Sequence, residues 1–351
     1  MTDARFPFPI PFGWFCVGQP GEFEAGTPRA LYYLATHLVG WRDDAGALHV
    51  QDAFCPHLGA HLGHGGKVDD GCITCPFHGW KFDAEGANVA IPYSERLNRK
   101  ARLRTYPVVE VNGLAFVWYH PDETVAPMWE LPALPECDDD EEWVPVLSTS
   151  YEIGTTWQEM AENGVDSAHF RYVHNTATVP ELDSYDTSTF PVAAMRSSQK
   201  FQTPRGIVEG RIDSTSYGPG MSAVHFSGFA DLLNLAVTTP IDRDRCIIRF
   251  NFRVKSLGDA KMTQGVGQAF ANEVHKQVLE DKVIWEHKAH LVRPALADTD
   301  GPVMKFRKWC TQFYAEGVDE GDERTVFTPP WWPDRADEAP AKATASARIE
   351  G

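Results

Sequence analysis

Through the first 120 or so residues, apolar positions fall in short runs separated by turn-forming residues. Asp43-Asp44-Ala45-Gly46 parts two such runs, and Asp83-Ala84-Glu85-Gly86 parts two more. Asn112-Gly113 lies between Tyr106–Val111 and Leu114–Trp118. Asn-Gly in that position favours a tight hairpin, because both central residues of the preferred turn take positive φ. The pattern predicts an all-β first domain. Beyond it the periodicity changes. Residues 157–170 follow helical spacing, residues 206–213, 222–229 and 245–254 alternate or run apolar like antiparallel strands, and 262–290 reads as one long amphipathic helix. The prediction is an α+β chain whose second domain carries an antiparallel sheet flanked by helices. Pro127, Pro132, Pro135 and the acidic run 138–142 mark residues 126–148 as a connection. The expected division is 1–145, then 146–333, then a low-complexity tail 334–351 that reads as disordered. No internal repeat is visible.

Composition agrees with this organisation. A chain of 351 residues with 43% hydrophobic residues accommodates two globular domains. The 7 cysteines show no framework spacing, which points to a reducing, cytoplasmic location. The N-terminus lacks an uninterrupted apolar segment, and no run approaches the roughly 18 apolar residues of a membrane span. With 32 Lys+Arg against 49 Asp+Glu, the net charge of −17 argues against nucleic acid, whose binding rests on phosphate neutralisation. The same charge serves solubility and would suit a basic redox partner.

The densest chemistry is Cys55-Pro56-His57, followed by Cys75-Pro76-Phe77-His78-Gly79-Trp80. Two thiolates and two imidazoles in mixed pairs suit a [2Fe–2S] cluster with Cys₂ on one iron and His₂ on the other. A tetrahedral Cys₂His₂ zinc site is the alternative, although zinc sites usually group Cys with Cys and His with His. The arrangement resembles the Rieske signature. Cys72, His61 and His64 lie close by: Cys72 reads as a small buried strand residue, and the two histidines as polar loop residues. Trp80 is placed to shield a cluster from water.

A second constellation follows at Asn163, Asp166, His169 and His174. The first three recur at three-residue intervals and would share one side of a helix. His174 lies about 140° further round an ideal helix, so both imidazoles reach one metal only if the helix ends or distorts near Phe170–Tyr172. Two His and one carboxylate with open positions is the ligand set of oxygen-activating non-haem Fe(II) enzymes. Val274, Val278, Asp281 and Trp285 form a buried helical stripe, which makes Asp281 the candidate acid, with a salt-bridged structural Asp as the alternative. Glu280 points about 100° away and is the weaker choice.

Glu162-Asn163-x-x-Asp166-x-Ala168-His169-Phe170-x-Tyr172-x-His174 resembles the mononuclear-iron motif of Rieske non-haem iron oxygenases of the steroid-acting branch. That branch contains the 3-ketosteroid 9α-hydroxylases and the cholesterol 7-desaturases. Gln277-x-x-x-Asp281-x-x-x-Trp285-Glu286 and Asp300-Gly301-Pro302-Val303, continuing through Arg307 and Trp309 to Tyr314, resemble its C-terminal signature. The resemblance implies a Rieske [2Fe–2S] cluster on Cys55, His57, Cys75 and His78, and Fe(II) on His169, His174 and Asp281. It further implies a head-to-tail homotrimer in which Asp166 links His78 of one subunit to His169 of the next, with Asn163 near the iron but not ligating it. Electrons would come from a separate NAD(P)H-dependent reductase or a ferredoxin, since no Gly-x-Gly-x-x-Gly is suitably placed. The implied activity is O₂-dependent monooxygenation of a steroid-like polycycle. Phe226, Phe229, Leu232, Leu233 and Leu235 are candidates for an apolar pocket. Aromatic dihydroxylation, O-demethylation and desaturation share the ligand set and are alternatives, as is a Rieske electron carrier with an inert second domain.

Overall fold

A computed structural model describes residues 5–203 and 206–315. The expected tail at 334–351 lies outside the described residues. The N-terminal strands are β1 (Gly13–Gly18), β2 (Arg29–Tyr33), β3 (Thr36–Arg42), β4 (Leu48–Asp52), β5 (Lys67–Asp69), β6 (Cys72–Thr74), β7 (Lys81–Phe82), β8 (Asn88–Ala90), β9 (Thr105–Tyr106), β10 (Val108–Val111) and β11 (Leu114–Tyr119). They form three small antiparallel sheets, ordered β1-β11-β10, β2-β3-β4-β9 and β5-β6-β7-β8. The three sequence-predicted turns close β3–β4, β7–β8 and β10–β11. Cys72 is on β6 as expected, but it is only half-buried.

After a single helical turn, α1 (Pro135–Asp138), the chain enters β12 (Trp143–Ile153). Strand thus begins within the stretch read as connection, because Trp143 and Val144 pair with the far end of a later strand. There follow α2 (Trp157–Ala161), a 3₁₀ turn (Glu162–Val165), α3 (Ala168–Tyr172), β13 (Glu181–Asp186), β14 (Val192–Thr203), β15 (Gly206–Tyr217), β16 (Met221–Ser227), β17 (Leu232–Pro240), β18 (Cys246–Lys255), α4 (Ala260–Trp285) and α5 (Val303–Thr311). One antiparallel sheet runs β12-β18-β17-β16-β15-β14-β13. α4 starts at an Asp259 cap, whose side chain accepts the Met262 N–H, and packs over β12 and β18.

Strand β17 is buried on both faces. Leu233, Leu235 and Val237 meet Trp14, Phe116 and Trp118 of the N-terminal sheets in one core that also takes in Trp309 and Phe313. Leu232 packs with Val254. These leucines therefore form ordinary core. The period-2 alternation of β17 turns Leu233, Leu235 and Val237 to this core and Leu232, Asn234, Ala236 and Thr238 to the opposite face, where Asn234, Ala236 and Thr238 line the cavity.

A buried ionic cluster ties α2 to the C-terminal segment. The fully buried Glu159 accepts a hydrogen bond from His290 Nδ1 at 2.6 Å, and Lys288 Nζ lies 2.9 Å from its other oxygen. Arg307 forks onto Glu162 at 2.6 and 3.0 Å. Burial alone would raise the Glu159 pKa, but His290 and Lys288 outweigh it and hold the carboxyl at about 2, against an ordinary 4.5. A depressed folded pKa gives stability that is complete above about 4.5 and lost as pH falls toward 2, on the order of 3 kcal/mol here. Glu159→Gln should therefore melt well below the parent at pH 7, with the gap in Tm narrowing as pH falls through 4. A gap constant over that range would show that the Glu159 charge contributes no such stability.

Candidate active site

Two loops of matching construction carry the first constellation. In each, the Cys N–H donates to a carbonyl five residues on, Cys55 to Ala60 at 2.9 Å and Cys75 to Trp80 at 2.8 Å. A glycine four residues after the Cys donates back to its carbonyl, Gly59 at 2.9 Å and Gly79 at 3.0 Å. Both glycines need positive φ, 77° and 69°, to close so tight a loop. The His57 and His78 rings meet at 4.7 Å, with the Cys55 and Cys75 thiols adjacent. Trp80 stacks on His57 at 4.5 Å and donates Nε1–H to Tyr93 Oη at 2.7 Å.

The loops fit an iron–sulfur cluster on their own evidence. His57 Nδ1 and His78 Nδ1 are buried without a hydrogen-bond partner, a cost that a metal bond removes. Burial and the neighbouring Cys75 push the Cys55 thiol up to about 11, so two adjacent thiolates here call for a cation. His61 and His64, polar loop residues on the sequence, are not needed for this set. His61 instead accepts the Gly63 N–H at 3.1 Å and packs against His64.

The second constellation is built on a broken helix. Residues 157–170 do not form the single helix expected, because Asp166 takes an extended conformation (φ −91°, ψ 104°) between the 3₁₀ turn and α3. Asn163, Asp166 and His169 therefore do not share one helical face. Asp166 Oδ1 instead accepts the N–H groups of Ala168 and His169 at the start of α3. α3 ends at Tyr172, which meets the requirement for His174 to swing toward His169. The ligand atoms of His169, His174 and Asp281 lie within 4.8 Å of one another. Gly301 seats the 3₁₀ turn from behind, since a Cβ there would fall 1.8 Å from the Val165 carbonyl oxygen.

Hydrogen bonds fix the tautomers. His169 Nδ1–H donates to the Asp166 backbone carbonyl at 2.6 Å, which leaves Nε2 facing the centre. The Asp166 carboxylate stands 4.0 Å from that ring, so within one chain the expected carboxylate–imidazole bond is replaced by the carbonyl one. His174 Nδ1–H donates to Glu280 at 2.9 Å, and its Nε2 lies 3.3 Å from Asp281 Oδ2. Asn163 Nδ2 lies 3.1 Å from both His169 Nε2 and Asp281 Oδ2. Burial lowers the His169 pKa; for His174 burial also lowers it, but Asp281 and Glu280 outweigh that and raise it. Glu280, set aside on the sequence, thus orients one of the imidazoles as outer carboxylates do around metals.

A cavity of about 1030 Å³ opens from this centre between α2–α3, α4 and the inner face of the seven-stranded sheet. Along α4 its lining runs from Val266 past Asp281 to Trp285, and the stretch between Val266 and Asp281 alone rises about 22 Å. Phe226 and Phe229 line it, as expected.

These features define a Rieske-type oxygenase: a cluster domain joined to a mononuclear non-haem iron domain. Comparison with known proteins agrees. Residues 13–107 match the Rieske [2Fe-2S] domain, and residues 117–314 match the 3-ketosteroid 9alpha-hydroxylase C-terminal domain. The chain belongs to this latter family. It is 30% identical to an oxygenase component of 3-ketosteroid-9-alpha-monooxygenase from Rhodococcus rhodochrous, covering 89% of this chain and 86% of the relative. It is also 30% identical to the cholesterol 7-desaturase of Caenorhabditis elegans, over 88% and 77% of the two chains. The dicamba monooxygenase structure bound to 3,6-dichlorosalicylic acid shares the fold, with a TM-score of 0.71 at 19% identity over 89% and 98% of the chains. The protein is accordingly an oxidoreductase with [2Fe–2S] and mononuclear iron cofactors, and as an oxygenase component it takes electrons from a separate protein. No helix among the described residues is long and apolar enough to cross a membrane.

Proposed function

We propose that this chain is the terminal oxygenase of a monooxygenase acting on a steroid-like polycycle. The observation that carries the reading is the cavity's reach of about 22 Å along α4, far beyond a single aromatic ring. The Rieske domain ends before β12 and the catalytic domain begins with it at Trp143, a little ahead of the expected boundary at 145/146. Cys55, His57, Cys75 and His78 hold the cluster, and His169, His174 and Asp281 hold the iron. When bound, the cluster supplies electrons singly and the iron activates O₂.

The protein's own groups prepare that chemistry. The Asp166 carbonyl and Glu280 hold each imidazole with Nε2 inward. Asn163 Nδ2–H donates to Asp281 Oδ2 and so positions that carboxylate. Apolar side chains such as Met160, Val278 and Phe170 exclude water beside the centre.

The assembly is a head-to-tail homotrimer in which His78 of one subunit approaches Asp166 of the next. Exposed Phe54, Leu58, Phe77 and Tyr93 around the cluster loops, and Tyr172 beside Asp166, supply the apolar surface. The electron donor is a reductase or ferredoxin. Arg96, Arg99 and Lys100 border a groove beside His57, so the docking face suits an acidic donor despite the chain's net charge. The 5 cysteines outside the cluster, Cys16, Cys72, Cys137, Cys246 and Cys310, form no disulfide, which suits a cytoplasmic location.

Sterol desaturation on the same site is the second reading, favoured by the desaturase relatives. A turnover screen with steroids, sterols and simple aromatics, using a generic NAD(P)H reductase, separates the readings by product. Oxygen consumption coupled to a hydroxylated steroid is expected. Uncoupled consumption with steroids and clean product from aromatics would overturn the assignment.

A further inference from the structure

The cavity has two unlike walls. α4 contributes mainly apolar side chains, Val266, Phe270, Val274 and Val278, with Glu273 and Gln277 among them, whereas the sheet sets polar side chains from four adjacent strands among apolar ones such as Ile212, Val224 and Phe250. Gln199, Ser214, Ser216, Ser222, Asn234 and Thr238 all line that floor. The register sets Ser214, Val224 and Asn234 in one transverse row and Ser216, Ser222 and Ala236 in the next. With strands about 4.8 Å apart, Ser214 and Asn234 are separated by about 10 Å. Such a spacing matches polar substituents spread along a fused-ring nucleus.

Ser216 and Ser222 bond each other at 2.8 Å. The side-chain carboxamide oxygens of Asn234 and Gln199 have no hydrogen-bond partner among the described residues. The two residues are 4% and 5% exposed. Buried amides are normally satisfied, and a hydrocarbon face laid on this floor would strip water from them without replacing it. A ligand hydroxyl both donates and accepts, so it satisfies a carboxamide in either of its two orientations.

We infer that the substrate is a facially amphipathic polycycle: its apolar face lies against α4, and its hydroxyl-bearing face is read by the β14–β17 floor, with Asn234 as the specificity-determining residue. This rests on the polycycle reading above.

The test uses the reconstituted oxygenase and matched steroid pairs, one member hydroxylated on a single face and the other its deoxy parent. Dissociation constants are measured anaerobically by tryptophan quenching. The parent enzyme should bind the hydroxylated member at least tenfold more tightly. Asn234→Leu, which keeps the branching at Cγ and the number of side-chain heavy atoms but removes the carboxamide, should collapse that preference while leaving deoxy affinity intact or improved. Gln199→Leu provides an independent variant if Asn234→Leu does not fold. Equal binding of both members by the parent enzyme would overturn the hydroxyl inference and leave the polycycle reading standing. Failure of both members to bind takes down the two together.

Discussion

Asp281→Ala is expected to emerge from purification without mononuclear iron while keeping the visible spectrum of the cluster. Asp281 is 7% exposed on the buried stripe of α4, and its Oδ2 meets both His174 Nε2 and Asn163 Nδ2. Removing it leaves two imidazoles and no carboxylate at the convergence point. Loss of an outer-sphere partner alone costs about 10–100-fold in metal affinity, so losing a ligand costs more than about 100-fold. The fold should survive, because the change deletes a buried acid and its desolvation cost with it. Iron per chain by elemental analysis, set beside the cluster absorbance, checks this. Iron content equal to the parent's would remove Asp281 from the ligand set and turn attention to Glu280.

Asp166→Asn should act differently: both metal centres stay, and turnover falls by at least about 100-fold. The structure explains why this substitution is clean. An Asn Oδ1 can still accept the Ala168 and His169 N–H groups that start α3, and the backbone carbonyl still orients His169. Only the negative charge is lost, on a side chain 42% exposed toward the face where a neighbouring His78 is proposed to dock. Reoxidation of the pre-reduced cluster by O₂ in the presence of substrate, followed in stopped flow, should slow in step with turnover. Loss of iron would reassign Asp166 to local structure, and undiminished turnover would remove it from the electron path.

The N-terminal hairpins were legible because their turns are written locally in Asn112-Gly113 and the two Asp-to-Gly tetrads. The ligand pairs were legible for the same reason. β17 was not predicted, since Asn234 and Thr238 on the cavity face break an otherwise apolar run. Glu280 was set aside because helical phase places it away from Asp281. His174 reaches it from a chain that has already left α3, an approach no periodicity encodes. The same holds for the break at Asp166: helical spacing continues through it in sequence, while the backbone does not. Glu159 reads as an ordinary acid on α2, and only the return of Lys288 and His290 shows why it is buried.

The clasp of Arg307 on Glu162 and of Gly301 behind Val165 bears on how the protein is made. All strands of the cluster domain are synthesised by residue 119, so that half can begin to order while the rest is still on the ribosome. The turn that carries Asn163 and Asp166 gains its backing only when residues 301–309 have emerged. Iron insertion into the second centre therefore waits for residues 301–309, whereas the electron inlet can be ready before them.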